Sequence, residues 1–152
     1  MREILFRGKR TDNNEWVYGY YFQGFTGTPY ILVMHDHILK MTEFYEVNPT
    51  TVGQYVNLLD KNGEEIFESD IVIQENNIIF GKHFPGCVGI VGWMYSQLKV
   101  MAYASKGSTW SALTGRYYLF NDRDYREEEK TDWEVIGNVY DNPELLIAEG
   151  GL

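Results

Sequence analysis

The chain has 152 residues, 44% of them hydrophobic and 16% aromatic, with a formal net charge of −9. That length and apolar content suit one domain with a sizeable core and exclude an intrinsically disordered chain. The acidic balance disfavours polyanions as general partners, the single cysteine excludes an internal disulfide, and no run approaches the ~20 apolar residues of a membrane helix.

Twelve tyrosines and four tryptophans favour pleated, half-buried surfaces, and 15 glycines beside four prolines point to tight turns rather than linkers. In chain order, Ile4-Leu5-Phe6 reads as a short strand that follows no signal-peptide pattern, because its apolar run is too short. A turn cluster, Thr11-Asp12-Asn13-Asn14-Glu15, leads to a strand over residues 16–22. Its alternation puts Trp16, Tyr18, Tyr20 and Phe22 on one face and Val17 and Tyr21 on the other. The pattern breaks from Gly24 to Pro29, resumes as a strand over residues 30–34 and again over residues 43–47, and stops at Asn48-Pro49.

Beyond Thr51-Val52-Gly53-Gln54-Tyr55 comes the stretch Asp60-Lys61-Asn62-Gly63-Glu64-Glu65-Ile66-Phe67-Glu68-Ser69-Asp70-Ile71-Val72. It reads as a polar turn, a short arm, a bend at Ser69-Asp70 and an apolar strand. Asn62-Gly63 suits the positive φ of a hairpin turn, and Asp70 is expected to accept backbone N–H bonds within the bend. Residues 88–94 and 98–103 flank Tyr95-Ser96-Gln97 as a second hairpin, with Leu98, Val100 and Ala102 on one face. A flexible loop over 105–109, an apolar run over 117–120 and a charged excursion over 121–132 precede a last strand, 133–140. Asn142 is placed to cap a short helical turn that starts at Pro143, has Glu144 near its N-terminus and brings Leu145 and Leu146 onto the core. No long amphipathic helix, heptad or internal repeat is evident, and the spacing of short strands predicts an all-β barrel or sandwich.

Several of these motifs occur together in one known family. Residues 1–9, Trp16-Val17-Tyr18-Gly19, Val52-Gly53-Gln54, the turn and bend of 60–72, and Val135-Ile136-Gly137-Asn138-Val139-Tyr140-Asp141-Asn142-Pro143-Glu144-Leu145-Leu146 resemble the YopX family. The resemblance covers both ends and the centre, and only loosely residues 76–130. It implies a phage or prophage origin in Gram-positive bacteria and a domain like an SH3-type small barrel, and it assigns no catalytic residue. The expected architecture is therefore mainly β: an N-terminal β unit over 1–56 contributing an added hairpin layer, an SH3-like barrel over 57–148 with a variable insertion near 105–130, and the short C-terminal helical turn. Two positions depart from the family pattern, Asn57 and Ser69 standing where glycine is usual. Asn tolerates a left-handed backbone and Ser does so less readily, so the bend at Ser69 is expected to be more extended than usual.

The candidate chemistry is weaker than it first looks. Asp60, Asn62 and Glu64 alternate as in a calcium loop, but Gly63 is fourth rather than sixth and Ile71 stands at position twelve. His35 and His37 share a strand face without a nearby third ligand. Cys87 has no signalled base, and Glu68 with Asp70 fits a bend better than an acid/base couple. No phosphate-binding glycine motif is present. The basic groups gather at the start, where Arg2, Arg7, Lys9 and Arg10 face Glu3 alone, while acids concentrate beyond residue 121. Complementary contact between these ends is one reading, and two solvated faces the other.

The function expected is a non-enzymatic protein-interaction or assembly module without metal or cofactor, cytoplasmic in the host cell. Its aromatics would be buried in the core or at contacts of a homo-oligomer, with a host or phage protein as a further partner and no membrane. The alternative is a single-stranded nucleic-acid-binding small barrel using Arg7, Lys9, Arg10 and Trp110, with Tyr117, Tyr118 and Tyr125 available for stacking.

Overall fold

A computed structural model describes residues 3–34, 42–74, 77–79, 82–84, 87–94, 97–105, 117–119 and 131–146. The chain is mainly β, with antiparallel sheets, and divides into two compact units, Met1–Tyr55 and Val56–Leu152.

The first unit is built on β1 (Phe6–Lys9), β2 (Trp16–Gln23), β3 (Pro29–Met34), β4 (Thr42–Glu46) and the start of β5 (Gly53–Leu59). Their order is β4-β3-β2-β1-β5. β1 begins two residues later than the apolar run suggests, and Ile4 is left 61% exposed. The turn sets this register. Arg10 N–H donates to Glu15 O at 2.9 Å, Asn14 adopts φ 64°, and Lys9 is thereby paired with Trp16 and Arg7 with Tyr18. On its other side β1 meets β5 through Phe6–Gln54 and Arg7–Gly53, and Lys9 N–H donates to Thr51 Oγ1 at 2.9 Å.

β2 uses its two halves differently. Residues 16–19 pair with β1, and Tyr20 to Gln23 pair with β3. The changeover falls at Gly19, where a Cβ would lie 2.0 Å from the Leu32 carbonyl oxygen, so only glycine admits that approach. One face of the sheet is covered, with Ile31 and Val47 nearly inaccessible and a Gly8 Cβ position 3.0 Å from Val47. β4 ends at Glu46, and two residues on the Asn48 side chain caps a short 3₁₀ turn, Pro49–Thr51, by accepting from Thr50 N–H.

The second unit contains the end of β5, β6 (Glu65–Phe67), β7 (Asp70–Gln74), β8 (Asn77–Ile79), β9 (Lys82–Phe84), β10 (Cys87–Met94), β11 (Gln97–Ser105), β12 (Tyr117–Leu119) and β13 (Glu134–Asn138). β6 follows β5, five strands run in the order β12-β11-β10-β7-β13, and β8 and β9 form a separate small hairpin that the sequence pattern did not reveal. Among the described residues these sheets are open rather than closed. One core joins β5, β6, β7, β10, β11 and the segment at β13: Leu58, Ile66, Val72, Val91, Val100 and Trp133, with Val56, Leu98 and Val135 packed around it. The insertion near 105–130 lies outside the described residues except for Ser105 and the backbone of β12.

The C-terminal turn, Pro143–Leu146, is a four-residue 3₁₀ helix that buries none of its residues, and Leu145 is 38% exposed. Adjacent residues in a 3₁₀ turn point a third of a turn apart, so Leu145 and Leu146 do not share one inward direction. The Asn142 side chain does not cap this turn. Its Oδ1 accepts from Asn138 N–H at 3.3 Å, while its backbone carbonyl accepts from Leu145 N–H.

Candidate interaction surface

The alternation of β2 puts Tyr18, Tyr20 and Phe22 on the face opposite the covered one. These rings are 46%, 48% and 39% exposed, and Phe44 of β4 is 61% exposed. The register gathers them: Tyr20 lies opposite Leu32, Leu32 opposite Phe44, and Phe22 opposite Tyr30. The Phe22 and Tyr30 rings stack with centroids 5.3 Å apart, and Phe44 meets both edge-on at 6.1 and 5.8 Å. Such geometry is favourable in its own right and holds the rings in place. At the hairpin tip, Gly24 N–H donates to Thr28 O, Gly27 N–H donates to Gly24 O, and Phe25 stands fully in solvent. No Asp, Glu, Lys or Arg occurs anywhere in residues 16–34. That charge-free run was readable in the sequence and is the signal that would have singled this hairpin out.

The basic cluster at the start of the chain takes a different form from an open patch. Arg7 and Lys9 are buried, their cationic ends 4.7 and 5.5 Å from the Trp16 ring centroid. Arg10 lies over Tyr45 at 4.0 Å and donates through both its Nε and a terminal nitrogen to Asp12. The hydrogen bond to Asp12 raises the Arg10 pKa and holds the Asp12 carboxyl below the usual carboxylate range. The Tyr45 hydroxyl donates to Glu43, which pushes the Tyr45 pKa up. The structure thus brings Arg7 and Lys9 together but covers them, and ties Arg10 to a carboxylate. Trp110, Tyr125, His35, His37 and the side chains of Cys87, Tyr117 and Tyr118 lie outside the described residues.

The two carboxylates of the turn and bend are structural in their contacts. Asp60 is 1% exposed. Its Oδ1 accepts from Asn62 N–H at 2.8 Å and Glu64 N–H at 2.9 Å, and its Oδ2 accepts from Val135 N–H at 3.1 Å. Burial pushes the Asp60 carboxyl up, but the backbone donors of Glu64, Val135, Asn62 and Gly63 together outweigh it and leave the pKa lowered. Gly63 takes φ 90°, so the turn needs its glycine. Asp70, also 1% exposed, accepts from Phe67 N–H at 2.8 Å. Ser69 is not extended. It sits at φ 68°, as Asn57 sits at φ 60°, and both therefore occupy the left-handed region in which glycine is at ease. The bend is held there because Ser69 N–H donates to Val91 O and Val139 N–H donates to Ser69 O, which leaves no slack for an extended path. Among the described residues no group of three His, Cys, Asp or Glu is arranged to hold a metal ion.

A family model described as YopX protein matches residues 5–147. The chain belongs to the YopX family. The match spans β1 to β13 and takes in residues of both units. A search of curated proteins finds no match.

Proposed function

We propose that this YopX chain is a non-enzymatic protein-interaction module and that its working surface is the aromatic face of β2, β3 and β4. The observation that carries the proposal is the solvent-open set Tyr18, Tyr20, Phe22 and Phe44. At ~200 Å² for a whole aromatic side chain, their exposed fractions amount to roughly 400 Å². A contiguous apolar patch of that size is the kind that marks an interaction site. Asp60 and Asp70 support the non-enzymatic part, since both carboxylates are engaged by backbone N–H groups.

The reading extends to a phage or prophage accessory protein working in the host cytoplasm. The motifs of the family favour that origin, and a single cysteine fits a reducing compartment. In the second unit we propose that residues 57–148 close into an SH3-like barrel. In its favour, Thr131 N–H donates to Leu59 O at 2.8 Å and Lys61 N–H donates to Trp133 O at 2.7 Å, which joins β5 to the segment entering β13. Amide-to-amide magnetisation transfer between β6 and β12, the other edge of the five-stranded sheet, is the signature of closure on the remaining side.

The alternative, a single-stranded nucleic-acid binder, draws on the same exposed rings, which suit base stacking. Among the described residues the basic cluster at the start of the chain supplies no electrostatic funnel, because Arg7 and Lys9 are stacked on Trp16 and Arg10 is held by Asp12. One experiment separates the two. Phe22 is replaced by a photo-crosslinking phenylalanine analogue in cells that carry the gene. Covalent products with polypeptide are expected, and products with nucleic acid alone would overturn the proposal.

A further inference from the structure

The geometry points to a second copy of this chain as the occupant of the aromatic face, two β2–β3–β4 surfaces meeting about a twofold axis. This rests on the reading that the face is a protein contact, and it names the partner.

Charge narrows the choice first. Each chain carries −9, so two copies repel one another over most of their surface. The acids are unevenly divided. Residues 1–55 hold five Lys or Arg against six Asp or Glu, and residues 56–152 hold eight against sixteen. The first unit is thus close to neutral, and within it residues 16–34 carry no charge at all. The β2–β3 hairpin is where two copies approach with least repulsion. A nucleic acid or an anionic bilayer meets the repulsion of the whole chain without a cation on the hairpin to offset it. A basic peptide finds no carboxylate on β2 or β3 to pair with. To this face β4 adds one exposed carboxylate at the edge, Glu46 opposite Tyr30, so the uncharged part of the face is its β2 and β3 rings, and the surface that best matches those is another uncharged aromatic one.

Shape supports the same partner. In a twofold contact the same patch serves both sides, so it must complement itself. The cluster presents both ring faces and ring edges, since Phe44 stands at 72° to Phe22 and 83° to Tyr30. Stacked and edge-to-face pairs are therefore both available across the axis. Including Phe25, the exposed aromatic area rises to roughly 600 Å² at ~200 Å² per ring. A standard interface buries about 800 Å² per partner, so these five rings and their immediate rim suffice for a stable pair. Phe25, presented at the hairpin tip, is placed to act as an anchor.

Sedimentation velocity on the purified full chain, from low micromolar to millimolar, is the test. Concentration-dependent dimerisation is expected for the wild type. The double variant Tyr20→Lys, Phe44→Lys is expected to be monomeric with an unchanged far-ultraviolet spectrum. Should that variant unfold, Phe25→Asp replaces it, because a side chain wholly in solvent is dispensable for folding. Its dimer is expected to dissociate roughly tenfold more readily or beyond, as for loss of a hot-spot aromatic. A wild type that stays monomeric overturns the inference, as does a dimer that both substitutions leave intact. The two readings fail separately. Crosslinks from position 22 to a different polypeptide, with a monomeric purified chain, would remove the second copy and keep the protein contact.

Discussion

Asp60→Asn offers the sharpest test of how the second unit is held together. The wild-type carboxylate receives three backbone N–H groups, one of them from Val135, 75 residues further along the chain. An amide can keep Oδ1 where it is and retain the bonds from Asn62 and Glu64, now without charge assistance. Its NH₂ then faces the Val135 N–H, so one bond is lost and two donors oppose each other. Weakening two charge-assisted bonds and stranding one buried donor costs about 2–3 kcal/mol, given 1–3 kcal/mol for an unsatisfied buried group. Asp60→Ala strands all three donors and is expected to cost about 3–5 kcal/mol. Two measurements bear on this. Urea unfolding followed by tryptophan fluorescence reads the total, because Trp133 is buried and its carbonyl accepts from Lys61 N–H beside the turn. Native-state hydrogen exchange should show faster exchange at the amides of Asn62, Glu64 and Val135. The lowered Asp60 pKa adds a pH dependence. A carboxyl whose folded pKa lies below its unfolded value of about 3.9 contributes stability above that pH and loses it as pH falls through the folded pKa. Wild type should therefore lose stability on acidification faster than Asp60→Asn over that range. If Asp60→Asn unfolds within about 0.5 kcal/mol of wild type, the size of a neutral surface change, the pinning argument fails.

Other substitutions test the remaining features. Ser69→Val should destabilise by more than about 1 kcal/mol, because a β-branched residue resists φ 68°, whereas Ser69→Gly should be neutral or mildly stabilising, with relief of strain offset by unfolded-state entropy. Equal chemical-denaturation midpoints for Gly, Ser and Val would contradict a left-handed bend. Gly19→Ala drives a Cβ into the Leu32 carbonyl and is expected to cost about 1–3 kcal/mol or to disrupt the β2–β3 pairing, visible as lost amide protection in both strands. Asp70→Ala should lose about 1–3 kcal/mol through the buried Phe67 N–H, yet leave self-association at the aromatic face unchanged. A dimerisation defect in a folded Asp70→Ala chain would show that the bend and the face are not independent.

Much of the architecture was legible because it rests on local signals. β2, β3, β4, β6, β10 and β11 follow from alternation and from the turn residues between them. Asn57 in the left-handed region follows from the one non-glycine type that tolerates it well. Ser69 takes the left-handed region against its intrinsic preference because its bonds to Val91 and Val139 fix the bend, a constraint that no local signal announces. β1 starts two residues beyond the beginning of the apolar run for a related reason. An apolar triplet suggested strand, while the turn and the stacking of Arg7 and Lys9 on Trp16 set the register two residues later. Asp60 looked like one member of a polar turn, because nothing local announces a bond to Val135.

The aromatic face shows where alternation runs out. Period two sorts Trp16, Tyr18, Tyr20 and Phe22 from Val17 and Tyr21, but it does not say which set is covered, and hydrophobicity suggests the larger rings. The structure covers the set with Gly19 instead, because β3 approaches there too closely for any side chain. Ile31 and Val47, small and branched, fill that side, and the rings are left outward. Burying them inward would need room that the Gly19 approach removes. The exposed rings thus follow from the same close approach that shapes the sheet. A chain that holds Tyr18, Tyr20 and Phe22 outward, on an uncharged hairpin, has a surface suited to being covered by another protein.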